Sequence, residues 1–106
     1  MDFLATISLH TQGNEKHLDI FFEKEDYLLT YESSFEFLED FLSGKPILGI
    51  KKENHRKIYL NYQGPISKNR GDLYIVWKGF YDSKMKNFSE KIFFFQKNQK
   101  IMIHIN

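Results

Sequence analysis

The sequence predicts a mainly β protein, a small antiparallel barrel or curled sheet of about seven strands with one short helix. Three observations point there. Short stretches of alternating apolar and polar residues recur between turn-rich connections. Aromatic residues make up 17% of the chain and eleven are Phe, a composition suited to half-buried strands and a dense small core. Only one segment carries a helical apolar stripe. With 106 residues and no internal repeat or break in composition, residues 1–106 are expected to form one domain with one core and one cleft.

The elements follow in order. Phe3 to His10 sets Phe3, Ala5, Ile7 and Leu9 against Leu4, Thr6, Ser8 and His10, with His10 on the wetter face. Turn residues from Thr11 to Lys16 lead into a second strand, His17 to Glu23, in which His17 and Asp19 share a face. A charged turn precedes a third strand, Tyr27 to Glu32. Ser33 with Glu36 resembles a capping box for a helix whose stripe is Phe37, Leu38, Phe41 and Leu42, stopped by Gly44 and Pro46. After a short strand at Ile47 to Ile50, Glu53 to Tyr62 is expected to be extended. That would put Glu53, His55, Lys57, Tyr59 and Asn61 on one face, with Ile58, Leu60 and Tyr62 behind. A loop bracketed by Gly64 and Gly71 precedes Asp72 to Lys78, apolar on both faces as a central strand would be and ended by Gly79. Lys91 to Gln96 and Lys100 to Ile105 close the chain as a hairpin.

A formal charge of +1 excludes a broadly basic nucleic-acid-binding surface, so any basic patch must be local. The absence of cysteine removes disulfides, thiolate metal sites and a Cys nucleophile. Asp2 stands where a signal peptide carries positive charge, and no apolar run approaches the roughly 20 residues that span a bilayer. The expectation is a soluble, cytoplasmic protein with no membrane partner.

Three groups of residues can carry chemistry. His17 and Asp19 converge from one strand face, and His10 on the neighbouring strand offers a second imidazole. Two His and one carboxylate suit a divalent Mn, Fe or Zn ion, although an isolated His-x-Asp also arises on plain exposed strands. Glu53, His55 and Tyr59 combine a carboxylate that can orient an imidazole, a general acid and a phenol; polar decoration of an edge strand has the same look. The loop QGPISKNRG, Gln63 to Gly71, offers Ser67, Lys68 and Arg70 to a phosphate but matches no P-loop or dinucleotide fingerprint. His104 is assigned a structural role. Trp77, Tyr74 and Phe93 to Phe95 are assigned to core packing rather than base stacking, and Lys84, Lys86 and Lys91 to a solvated face.

Taken in order, HLDIFFE (His17 to Glu23), ENHRKIY (Glu53 to Tyr59), YQGPISKNRG and DLYIVWKGFY resemble the 3′-phosphoesterase domain of bacterial DNA ligase D, and its short stand-alone relatives more closely, over roughly His10 to Tyr81. The resemblance implies a compact β-barrel. It also implies a manganese-type metal held by His10, His17 and Asp19, and an active-site run of Glu53, His55 and Tyr59. The implied activity trims 3′-phosphates or 3′-terminal ribonucleotides from primer ends in DNA repair. The partner would be a nucleic-acid 3′ end, either DNA or DNA with a terminal ribonucleotide, with a ligase or repair protein as a second class. The spacing from His10 to His17 is one residue longer than usual in the family.

Two departures bear on activity. Active members carry an arginine two residues after the metal Asp, where this chain has Phe21, and another eight residues before the active-site His, where it has Ile47. Losing one preorganised donor costs roughly 2.7–4 kcal/mol of transition-state stabilisation, so losing two would slow the reaction by several powers of ten. Lys57, Lys68 and Arg70 are the candidate replacement cations, Lys57 sharing the expected face of His55 and Tyr59. The leading expectation is therefore a metal-dependent 3′-phosphoesterase-like domain. The alternative is a catalytically impaired module that binds nucleic-acid ends or a protein partner.

Overall fold

A computed structural model describes residues 2–82, 85 and 88–104. The described strands are β1 (Asp2–Gln12), β2 (Glu15–Glu23), β3 (Leu28–Ser34), β4 (Ile47–Lys51), β5 (Gly64–Pro65), β6 (Asp72–Asp82), β7 (Lys91–Lys97) and β8 (Lys100–Ile103). Helix α1 (Leu38–Leu42) follows a 3₁₀ turn at Phe35–Phe37, and a second 3₁₀ turn spans Lys57–Leu60. Lys84, Lys86 and Ile105 lie outside the described residues.

Seven strands close into a barrel in the order β1-β2-β3-β4-β7-β8-β6, and β6 returns to pair with β1. The two-residue β5 hangs on β6 outside the ring. Closure leaves no free edge in the ring. The pairs are antiparallel except β6 with β8, joined in parallel at Phe80↔Lys100 and Tyr81↔Ile101, so the barrel is mixed. The closing hairpin forms as expected: Asn98 and Gln99, at φ of 54° and 63°, make the tight turn between β7 and β8.

The barrel interior is filled by one face of each long strand: Ala5 and Ile7, Leu18, Ile20 and Phe22, Tyr31, Trp77 and Tyr81, and Phe94. Helix α1 adds Phe41, whose ring meets Trp77 edge-on at 5.2 Å. The helical stripe is narrower than expected, since Leu42 is exposed. The expected capping box does not form. Ser33 is a strand residue whose hydroxyl donates to the Leu48 carbonyl at 2.7 Å, and Ser34 precedes the turn. Ser33 and Ser34 remain in the ladder with β2, opposite Leu18 and His17.

Strand β6 runs through Gly79 rather than ending there. A Cβ at Gly79 would lie 2.3 Å from the Gln99 carbonyl oxygen and 2.4 Å from the Trp77 ring, so glycine serves close approach. Earlier in β6, Ile7 faces Trp77 while the next residue, Ser8, faces Ile75, leaving Val76 as a bulge. The bulge puts Leu73 and Trp77 on opposite faces, which accounts for a strand apolar on both sides.

The outer face of β1, β2 and β3 is not bare. Phe21 and Leu28 form a second small core with Leu60, and Tyr59 packs against it. Leu60 arrives from the 53–62 stretch, which is not the expected strand. It makes one antiparallel bridge, Leu28 to His55, through N–H to carbonyl bonds of 2.8 and 3.0 Å, and then coils into the 3₁₀ turn. A three-residue period drives Leu60 down onto Phe21. An extended chain would carry it past.

Candidate metal centre and adjoining cleft

The β1–β2 hairpin sets His10 directly opposite His17, and Ser8 opposite Asp19. Opposite residues of an antiparallel pair share a face, so both imidazoles and the carboxylate project outward from the barrel together. Their polar atoms converge: His10 Nδ1 is 3.1 Å from His17 Nε2 and 3.3 Å from Asp19 Oδ2, and His17 Nε2 is 3.0 Å from Asp19 Oδ1. The longer His10-to-His17 spacing is thus the spacing of a cross-strand pair in this register.

His10 is oriented from behind. His10 Nε2 lies 2.7 Å from the Arg70 carbonyl oxygen, which can only accept, so Nε2–H donates and Nδ1 is the nitrogen turned toward His17 and Asp19. Asp19 is buried to 6% exposure. The pKa of His17 is raised above the ordinary histidine value, chiefly by its hydrogen bond to Asp19. Burial opposes the rise, the charges of Asp19 and Glu32 add to it, and Lys52 opposes it. Two imidazole nitrogens and a carboxylate collected around one point suit a divalent cation. Donors about 2.1 Å from one ion stand roughly 3.0 to 3.4 Å from one another. The separations here match that range, and each residue offers a ligand atom within 4.8 Å of the others. The His-His-Asp group can hold a metal; its donor chemistry alone does not say which.

Beside it lies a cleft of about 100 Å³ whose walls are His10, Asp19, His55, Tyr59 and Arg70, over Ile66 and Leu73. His55 and Tyr59 are brought together by the 3₁₀ turn rather than by strand alternation, with ring centroids 5.9 Å apart. His55 Nδ1 donates to the Glu53 carbonyl oxygen at 3.0 Å, so main chain rather than the exposed Glu53 carboxylate orients the ring. That bond leaves Nε2 as the working nitrogen.

The three candidate cations separate. Lys57 turns away from the cleft: its ammonium lies 3.3 Å from the Glu23 carboxylate and donates to the Lys24 carbonyl at 2.7 Å. Lys68 sits exposed at the loop tip, at φ of 62°. Arg70 lines the cleft, its guanidinium steadied by the Ser67 carbonyl at 2.9 Å and the Ser67 hydroxyl at 3.1 Å. The loop is closed by a 2.7 Å bond from Ile66 N–H to the Gly71 carbonyl. At Gly71, φ is 93° and a Cβ would fall 1.9 Å from the Thr11 carbonyl oxygen, so only glycine lets the loop dock on β1.

The two positions compared with family arginines differ in kind. Phe21 is fully buried in the outer core, its ring 5.3 Å from that of His55, so an apolar contact stands beneath the imidazole. Ile47 faces the barrel interior opposite Phe94 and does not reach the cleft. Glu32 and Lys52 escaped the sequence reading. Glu32 pairs with Asp19 across β2 and β3, with Oε1 3.5 Å from His17 Nε2. Counting outward from the turn at residues 24–27 would have found it. Among the aromatics assigned to packing, Trp77 and Phe94 are buried while Tyr74 and Phe93 are exposed. His104 packs edge-on to Phe95, away from the cleft. Among the described residues, no helix is long and apolar enough to cross a membrane. Neither a scan of protein-family models nor a search of curated protein sequences gives a match for this chain.

Proposed function

We propose that this chain is a divalent-metal-dependent phosphoesterase-like domain acting on nucleic-acid 3′ ends in repair, with manganese as the cation. The observation that carries the reading is the convergence of His10, His17 and Asp19 on one point, beside a cleft that His55, Tyr59 and Arg70 also line. His10, His17 and Asp19 would hold the ion. When bound, it supplies positive charge to a phosphoryl oxygen.

The chain's own groups supply the rest. Arg70 and the Tyr59 phenol bind and orient the non-bridging oxygens, giving donors where charge develops. Water attacks phosphorus, the bond to the 3′-oxygen breaks and His55 Nε2–H delivers its proton to that oxygen, while a proton of the attacking water returns to His55, leaving a 3′-hydroxyl and inorganic phosphate. Glu53 acts through its main-chain carbonyl by holding the imidazole. Incubating a 3′-phosphorylated primer with Mn²⁺ is expected to release phosphate, and a His55→Ala variant to release it about 10²–10⁴ times more slowly. No release with any of Mn²⁺, Zn²⁺, Co²⁺ or Mg²⁺ sinks the enzymatic reading.

One observation favours the second reading, a module that binds ends without turnover, alone or with a ligase or repair protein. Phe21 occupies a hydrophobic core where active members of the resembled family carry an arginine. Retained binding of a 3′-phosphorylated end, with no phosphate release, would select it.

A further inference from the structure

We infer that a groove beside the metal cleft receives the base of the nucleotide whose 3′-phosphate enters the cleft, which makes the substrate an unpaired nucleic-acid end rather than a phosphate ester at large. The inference rests on the phosphoesterase reading and extends it from the phosphate to the nucleoside. The groove has a volume of about 340 Å³ and is walled by Arg56, Ile58, Tyr59, Tyr62 and Ile66. Its size falls within the range of small-molecule sites. Tyr59 and Ile66 line both the groove and the cleft, so the two spaces adjoin.

The walls are those a flat heteroaromatic ring needs. Tyr59 and Tyr62 meet edge-on, their centroids 5.7 Å apart at 80°, forming a corner. The Tyr62 hydroxyl donates to the Pro65 carbonyl, which holds its ring in place. The Arg56 guanidinium lies 5.8 Å over the Tyr59 ring, a planar cation able to stack on a base. Ile58 is 62% exposed. The 3₁₀ turn buries Leu60 and leaves Ile58 largely exposed in the groove wall. Bases stack on aromatic and guanidinium faces with little regard to identity, so the groove should accept any of the four. Neither His10 nor Asp19 lines it, which suits an aromatic ring set off from the phosphate by a sugar better than one bonded directly to a phosphoryl oxygen, as in phosphotyrosine.

The test uses fluorescence anisotropy with single-stranded octanucleotides ending in a non-hydrolysable 3′-phosphonate, in the presence of Mn²⁺. One carries its terminal base and one is abasic there. The intact end should bind about tenfold more tightly to the wild-type chain, and the ratio should fall towards one in Ile58→Asp and Arg56→Ala, both exposed positions, with the circular dichroism spectrum of each variant matching wild type. Equal binding of the two oligonucleotides, no measurable binding, an unchanged ratio in both variants, or tighter binding of a phosphotyrosine peptide overturns the inference. Base-dependent binding without phosphate release from an ordinary 3′-phosphate would count against the phosphoesterase reading alone.

Discussion

At the scale of single residues, the proposed function divides the work between holding a cation and handling a phosphate, and substitutions should separate the two. His17→Ala removes the atom closest to both His10 and Asp19, so Mn²⁺ binding measured by titration calorimetry should be lost along with phosphate release. Arg70→Ala behaves differently. Its carbonyl still holds His10, so Mn²⁺ affinity should persist while phosphate release falls about 10²–10³-fold. Equal loss of both would mean that Arg70 serves the fold and not the phosphate. Placing an arginine at position 21 should fail as well. Phe21→Arg would bury a guanidinium among Leu28 and Leu60 and is expected to lower the urea unfolding free energy by at least about 3 kcal/mol, without raising the rate. His17, Asp19 and His10 were legible because a strand pattern and a short turn suffice to pair them. The roles of Lys57 and Arg70 were not, since the first depends on Glu23 and the second on where a loop docks.

At the scale of elements, two segments position the site, the β1–β2 hairpin and the loop from Gly64 to Gly71. They are joined by two side-chain hydrogen bonds, from His10 to the Arg70 carbonyl and from the Gln12 amide to the Asn69 carbonyl at 3.2 Å. Gly71→Ala would force a Cβ into the Thr11 carbonyl and require a left-handed backbone from alanine, so the loop should lift from β1. His10 then loses its orienting acceptor, and Mn²⁺ affinity should drop about 10- to 100-fold in the same titration, the usual cost of losing a partner behind a metal-ligating His. Unchanged affinity would show that β1 orients His10 unaided. The 53–62 segment shows why element type was misjudged there. Ile58, Leu60 and Tyr62 alternate as a strand would, yet only Leu60 is buried, and the need to cover Phe21 and Leu28 overrides the period-two pattern.

At the scale of the whole molecule, the closed barrel buries Tyr31 and Tyr81, whose hydroxyls donate to the Ser89 and Glu23 carbonyls at 2.5 Å. Burial pushes both pKa values up from 10 to about 12. Each phenol therefore contributes stability that is complete below pH 10 and lost as pH rises from 10 through about 12. Urea midpoints should fall across that window, and Tyr31→Phe should flatten the fall. A slope unchanged by Tyr31→Phe would assign alkaline unfolding to other groups. The local pattern by itself determined the fold class, most strands, the closing hairpin and the convergence of His10, His17 and Asp19, because alternation and turn chemistry act over neighbouring residues. Only the tertiary structure decided that β6 and β8 pair in parallel, that the outer face carries a second core, that Lys57 leaves the cleft, and that Arg70 enters it. Each of those depends on contacts between residues far apart in the chain, where burial and close approach outweigh local preference.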